Sequence, residues 1–219
     1  MNIKKNKIYQ LIFGHKKINF ILEMEPNSNI LDVGCGNHSP SFYKRINPHI
    51  KYYGLDIAEY NMDEIDYKSA TKIMYVGRSE FANSIREIGN NFDAVIASHT
   101  LEHTDEPFAV LLSMIAALRK GGKVYLSFPT EDSKKFPSRK GTLNFYDDLT
   151  HNYLPEYNTI IETIEKCGAK IIFSRKRYRY PYGFIKGLLQ EPLSRLQNKN
   201  YPDTWSFWGF ETVIIAEKC

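Results

Sequence analysis

The chain has 219 residues, 42% hydrophobic and 25% charged, an ordinary globular composition and enough length for one sizeable core. The formal net charge of +4 is spread along the chain, so no nucleic-acid footprint stands out. No run approaches the roughly 18 apolar residues of a membrane span, which leaves a soluble protein without membrane or nucleic-acid partners as the expectation.

From the N-terminus, residues 1–24 are expected to form a helical cap. The apolar stretch 8–13 is broken by Gly14, His15 and two lysines, with no cleavage site after it, so no signal peptide is read. The cysteines Cys35, Cys167 and Cys219 form neither a disulfide framework nor a metal pattern, which fits a reducing, cytoplasmic setting. Short β-branched or aromatic runs then recur at 30–33, 52–55, 73–76, 94–97, 124–128, 170–173 and 213–216, each bounded by turn residues. Continuous apolar runs of this kind suit strands buried on both faces. Between them, 39–47, 106–118 and 155–167 read as helices, the second with Asp105 as N-cap, Pro107 at its start and Gly121-Gly122 at its end. Strands alternating with helices predict an α/β fold, a Rossmann-like, seven-stranded, mostly parallel sheet with helices on both faces. Two polar stretches interrupt the alternation, 130–153 and 178–209, and long segments of this kind are usually lids or binding loops.

The strongest local signal is Ile30-Leu31-Asp32-Val33-Gly34-Cys35-Gly36, a strand running into a glycine turn. Glycine lets the backbone turn tightly and a ligand approach closely. Asp56 ends the next strand 20 residues after Gly36, the spacing of an acid that binds ribose hydroxyls. The position where a dinucleotide loop carries its third glycine holds Ser39, and Asp32 repels phosphate at the turn. A cofactor with an amino-acid tail and no phosphate suits the site better, with Asp32 supporting its cationic end.

At these residues the chain resembles the class I S-adenosylmethionine-dependent methyltransferases, in the small-molecule, type 11-like branch. The stretch I-L-D-V-G-C-G is similar to their first motif and Gly54-Leu55-Asp56-Ile57 to their second. Phe92–His103 resembles the motif of the fourth strand, and Leu118-Arg119-Lys120-Gly121-Gly122-Lys123-Val124 the turn into the fifth. The resemblance covers about residues 25–130. It implies a single methyltransferase domain over 1–219, in which the length, prolines and aromatics of 178–209 mark that stretch as a substrate-lid insertion. It also implies S-adenosylmethionine as cofactor and S-adenosylhomocysteine as product, with Asp32, Gly34, Gly36, Asp56, Ile57, Ser98 and His99 at the cofactor. After the third strand, where the family often has an acid for the adenine amine, this chain has Arg78; Ser79, Glu80 or a backbone group would take that contact.

Methyl transfer from a sulfonium needs alignment and exclusion of water, and a hydroxyl acceptor also needs a base or a metal. Of six histidines, His151, His103 and His99 fall on the loops expected at the C-terminal edge of the sheet. These are the candidate bases; a packing role is the competing reading for His103, a polar loop with a helix-capping Asp for His151, and a place in the cofactor pocket for His99. The same histidines and carboxylates are able to bind a divalent cation, although the spacing does not compel one and no metal site is assigned. In the basic and aromatic run 175–182, Arg175, Arg177 and Tyr180 are candidates for a phosphate-and-ring clamp; a solvated charged face is the alternative. The expected function is methylation of a small-molecule acceptor, by O-methylation of a sugar or nucleotide sugar in surface-polysaccharide synthesis. Quinone-like or amine metabolites, an RNA or protein substrate, and a degenerate cofactor-binding module remain as alternatives.

Overall fold

The computed structural model describes residues 15–219, so most of the expected N-terminal cap lies outside the described residues. Seven strands form one sheet in the order β3-β2-β1-β4-β5-β7-β6. They are β1 (Asn29–Val33), β2 (Lys51–Asp56), β3 (Lys72–Tyr75), β4 (Phe92–Ser98), β5 (Leu118–Pro129), β6 (Ala169–Arg175) and β7 (Glu211–Lys218). The first five pair in parallel, and β7 runs antiparallel to both β5 and β6. This is the expected Rossmann-like, mostly parallel sheet.

Helices cover both faces, which explains why the central strands read as unbroken apolar runs. On one face α4 (Phe81–Glu87), α5 (Pro107–Ala117) and α6 (Tyr157–Lys166) bury Ile85, Leu111, Met114 and Ile160 against Leu31, Val95 and Leu126. On the other face α1 (Lys16–Leu22) and α2 (Ser39–Ile46) bury Phe20, Ile21 and Tyr43 against Ile30, Tyr52 and Ile96. The short helix α3 (Glu64–Ser69) is started by an Asp63 capping box, in which Asp63 accepts from the Asp66 N–H and Asp66 from the Asp63 N–H.

Three local expectations are corrected. The N-cap of α5 is Glu106, not Asp105, and no side chain caps it; Asp105 instead lies 3.7 Å from the Arg78 guanidinium. Gly121 and Gly122 do not end that helix, because the chain turns into β5 already at Leu118. They occupy an irregularity between the pairings Phe92–Leu118 and Ala94–Lys123, where a side chain at 122 would strike the Phe92 carbonyl at 2.8 Å. The stretch 178–209 is not a loop: it holds α7 (Pro181–Gln197) and α8 (Thr204–Trp208), packed on each other. Their close approach falls at Gly187, where a Cβ would sit 2.2 Å from the Asp203 carbonyl. The stretch 130–153 forms two 3-10 turns, Glu131–Lys135 and Phe145–Asp147. Phe136 and Leu143 from it pack with Phe210, Trp205 and Trp208 in a separate small core that joins it to the insertion.

Candidate active site

The glycine turn leaves β1 at the C-terminal edge of the parallel strands. Gly34 has φ +82°, a conformation that disfavours any side chain, and an added Cβ would lie 2.4 Å from Thr100 Oγ1. That hydroxyl donates to the Val33 carbonyl at 2.8 Å and ties the turn to the loop after β4. Gly36 is closed in by Tyr60, whose carbonyl would stand 3.1 Å from an added Cβ. The Asp56 carboxylate accepts the Gly36 N–H at 3.0 Å and the Ile57 N–H at 2.7 Å, which fixes it beside the turn. Burial raises its pKa, and these backbone bonds oppose the rise.

Asp32 is 1% exposed, and Tyr52 donates its hydroxyl to Oδ2 at 2.6 Å. Burial lifts its pKa to about 7, against the pull of the Tyr52 hydroxyl and of the Lys17 ammonium. Lys17 is a candidate site residue that sequence reading missed. From α1 its Nζ donates to Ser98 Oγ at the end of β4, at 3.1 Å. The Asp32 carboxyl at the end of β1 and the Lys17 ammonium at the end of β4 thus lie within electrostatic reach of each other. Lys17 lies 81 residues from Ser98, and no local pattern announces the contact.

His99 has φ +56° and both ring nitrogens on carboxylates: Nδ1 with Glu102 Oε1 and Nε2 with Glu211 Oε1, each at 2.8 Å. Burial works against a charged ring, yet the bonds to Glu102 and Glu211 outweigh it and hold the pKa up at about 9. A base needs a free lone pair, and His99 has none, so its expected catalytic role is corrected to that of a charged hub. Glu211 also meets His15 Nε2 at 3.1 Å, so one carboxylate joins the start of α1 to the end of β4. Burial opposes its charge, but the two histidines hold its carboxyl well below the usual range. Glu102, Glu211 and His15 were not among the expected site residues.

His103 and His151 are brought together, as the two loops require, with ring centroids 4.8 Å apart. His151 Nδ1 donates to the Phe145 carbonyl at 2.6 Å, and His103 Nδ1 lies 3.2 Å from the Thr150 carbonyl. The clamp residues fare differently. Arg177 donates to the Trp208 carbonyl at 2.9 Å and lies 3.5 Å from Asp132, and Tyr180 begins α7 and reaches Asp203 at 3.4 Å. Both hold the insertion in place, whereas Arg175 is exposed at the end of β6. Of the residues considered for the adenine contact, Ser79 and Glu80 are exposed in a 3-10 turn, and Arg78 donates to the His103 carbonyl at 3.0 Å.

A family model described as a methyltransferase domain matches residues 6–172. Among curated proteins, the phosphoethanolamine N-methyltransferase of Triticum aestivum is 28% identical over 109 residues, 49% of this chain and 21% of that protein. The ubiquinone biosynthesis O-methyltransferase of Vibrio parahaemolyticus is 26% identical over 128 residues, 55% of this chain and 53% of that protein. The matched stretch thus spans well under two thirds of these curated relatives. Among solved structures, a SAM-dependent methyltransferase from Archaeoglobus fulgidus superposes with a TM-score of 0.55 at 19% identity, covering 96% of this chain and 98% of that one. With the family model matching more than half of its length, the chain belongs to the methyltransferase-domain family, on the class I fold whose cofactor is S-adenosylmethionine.

Proposed function

We propose that the protein transfers a methyl group from S-adenosylmethionine to a hydroxyl of a small-molecule acceptor, a sugar or nucleotide-linked sugar. Synthesis of a surface polysaccharide in the cytoplasm is the setting this reading favours. The observation that carries the donor side is the charge pattern at the glycine turn. The Asp32 carboxyl and the Lys17 ammonium stand where the zwitterionic end of the cofactor belongs, while the anchored Asp56 keeps acceptor capacity for two ribose hydroxyls. A pyrophosphate would face Asp32 and Asp56 together, and no third glycine clears its approach.

The bound cofactor supplies a sulfonium-activated methyl group. The chain's own residues then have three tasks. Asp56 and the turn fix the nucleoside, and Asp32 with Lys17 fix the amino-acid end, which together set the line of attack. The joined segments 130–153 and 178–209, with 178–209 as the lid, keep water from that edge. His103 and His151 stand on the loops after β4 and β5, where an acceptor hydroxyl is activated by proton transfer or by a cation.

Titration calorimetry with S-adenosylhomocysteine tests the donor side. Asp56→Ala should weaken binding at least 30-fold, about 2 kcal/mol, as charge-assisted hydrogen bonds are lost. Unchanged affinity in the folded variant refutes the assignment. For the acceptor, methyl-labelled cofactor incubated with free sugars, nucleotide sugars, quinols and amines should label the sugars; labelling of amines alone overturns the hydroxyl reading.

A further inference from the structure

Glu102 is fully buried, and only one of its two carboxylate oxygens is used. Oε1 meets His99, and Oε2 has no hydrogen-bond partner among the described residues. A buried, unmatched carboxylate oxygen is costly, so the geometry calls for a partner. The neighbouring groups suit a cation. One ligand atom each from Glu102, His103 and His151 lies within 4.8 Å of the others.

The outer contacts strengthen the case. The Phe145 carbonyl can only accept, so His151 Nδ1 carries the proton and Nε2 presents its lone pair. At His103, Nδ1 faces the Thr150 carbonyl and the Thr150 hydroxyl at 2.9 Å. That hydroxyl donates in turn to Asp148 Oδ1 at 2.6 Å. His103 Nδ1–H therefore donates as well, and its Nε2 is left free. Metal-binding imidazoles are held in this way, with the far N–H on a carbonyl or carboxylate that fixes tautomer and ring plane. The Asp148 Oδ2 atom, 3.9 Å from His151 Nε2, is close enough to join as a further ligand or through water.

We propose that Glu102, His103 and His151 bind one divalent first-row transition-metal ion at the sheet edge. Two imidazoles and one carboxylate suit manganese, iron, cobalt or zinc better than magnesium or calcium, which take mostly oxygen ligands. The site joins the loop after β4 to the loop after β5, so the ion also pins these loops together. This inference concerns metal binding and stands apart from the identity of the methyl acceptor.

The test uses the full chain, stripped with a chelator and titrated with cobalt(II) or zinc(II) chloride in calorimetry and visible spectroscopy. Wild type should bind one equivalent, and cobalt should show d–d absorption characteristic of nitrogen ligation. His103→Gln and His151→Gln should each weaken binding at least tenfold while keeping wild-type affinity for S-adenosylhomocysteine, which reports that the fold is intact. Glu102→Gln serves as a third variant, since it retains side-chain volume at a buried position; it too should weaken binding at least tenfold. Absence of one-equivalent binding by wild type, or affinity unchanged in both histidine variants, overturns the proposal. Loss of cofactor binding without loss of metal binding overturns it equally.

Discussion

Glu191 lies on α7, 4% exposed, and joins the insertion to the segment after β5. Its two oxygens accept from both terminal nitrogens of Arg139 at 2.8 Å each, and further bonds come from Arg195 Nε at 2.8 Å and Trp208 Nε1 at 3.1 Å. Arg139 is itself buried, and Asp147 accepts its backbone N–H. Burial opposes the charge of Glu191, but these donors bring its pKa down from 4.5 to about 2. A depression from 4.5 to about 2 corresponds to about 3 kcal/mol, in line with the roughly 3–5 kcal/mol typical of breaking a buried pair. Glu191→Gln should therefore lower stability by about 3 kcal/mol at pH 7, read by urea unfolding with Trp205 and Trp208 fluorescence as probe. The folded pKa is depressed, so the stabilisation is present above the unfolded value of 4.5 and is lost as pH falls through about 2. Across that window the wild type should lose stability faster than the variant. The paired replacement Arg139→Met with Glu191→Leu should recover most of the loss, because no buried charge is left alone. A loss below about 1 kcal/mol in Glu191→Gln, or parallel acid curves, refutes the reasoning.

Asp32→Asn should be more stable than wild type at pH 8, because the fold raises the Asp32 pKa from 3.8 to about 7. A raised folded pKa stabilises fully below 3.8 and that contribution is lost as pH rises through about 7, by up to about 4 kcal/mol at 1.36 kcal/mol per unit; equal melting temperatures at pH 8 would count against it. Gly34→Ala should destabilise the fold by at least 1 kcal/mol, from positive φ and the clash with Thr100. Adding Thr100→Ala should relieve the clash but not the backbone strain, and full recovery in that double variant would remove the strain argument.

The sheet was legible because strands buried on both faces leave unbroken apolar runs, and six of the seven expected runs lie wholly within observed strands, with 73–76 overrunning β3 by one residue. The glycine turn and Asp56 were legible because turn and acid are near in sequence, their separation set by one crossover. The helix α7 was not, since Gly183, Gly187 and Pro192 all lower helical propensity within it. Tertiary packing overrides that cost: Gly187 admits α8, and Glu191 is held by Arg139. Lys17 and Glu211 carried no local signal, because their partners, Ser98, His15 and His99, lie 81 to 196 residues away in the chain. Arg177 and Tyr180 illustrate the reverse error, in which a cationic, aromatic run read as a ligand clamp spends its groups on the protein itself.

Chain direction explains where the insertion 178–209 starts and ends. Strand β7 is antiparallel to both β5 and β6, so β6 points the same way as β1 through β5. Its last residue, Arg175, therefore ends on the edge where the glycine turn leaves β1, and β7 begins on that edge at Glu211. Whatever connects them must start and finish beside the site, whatever its sequence. The same reversal delivers Glu211 to His99 across the Pro129–Glu211 pairing, and His15 then draws α1 over the edge and sets Lys17 against Ser98. One reversed strand thus supplies both the foundation of the insertion 178–209 and the anchor of α1. Glu211→Gln should accordingly loosen α1 and weaken S-adenosylhomocysteine binding through Lys17, a residue it does not touch. Hydrogen exchange of the α1 amides, faster in the variant while β1 and β4 stay protected, reads that coupling directly; unchanged exchange in α1 would show that Lys17 is placed without Glu211.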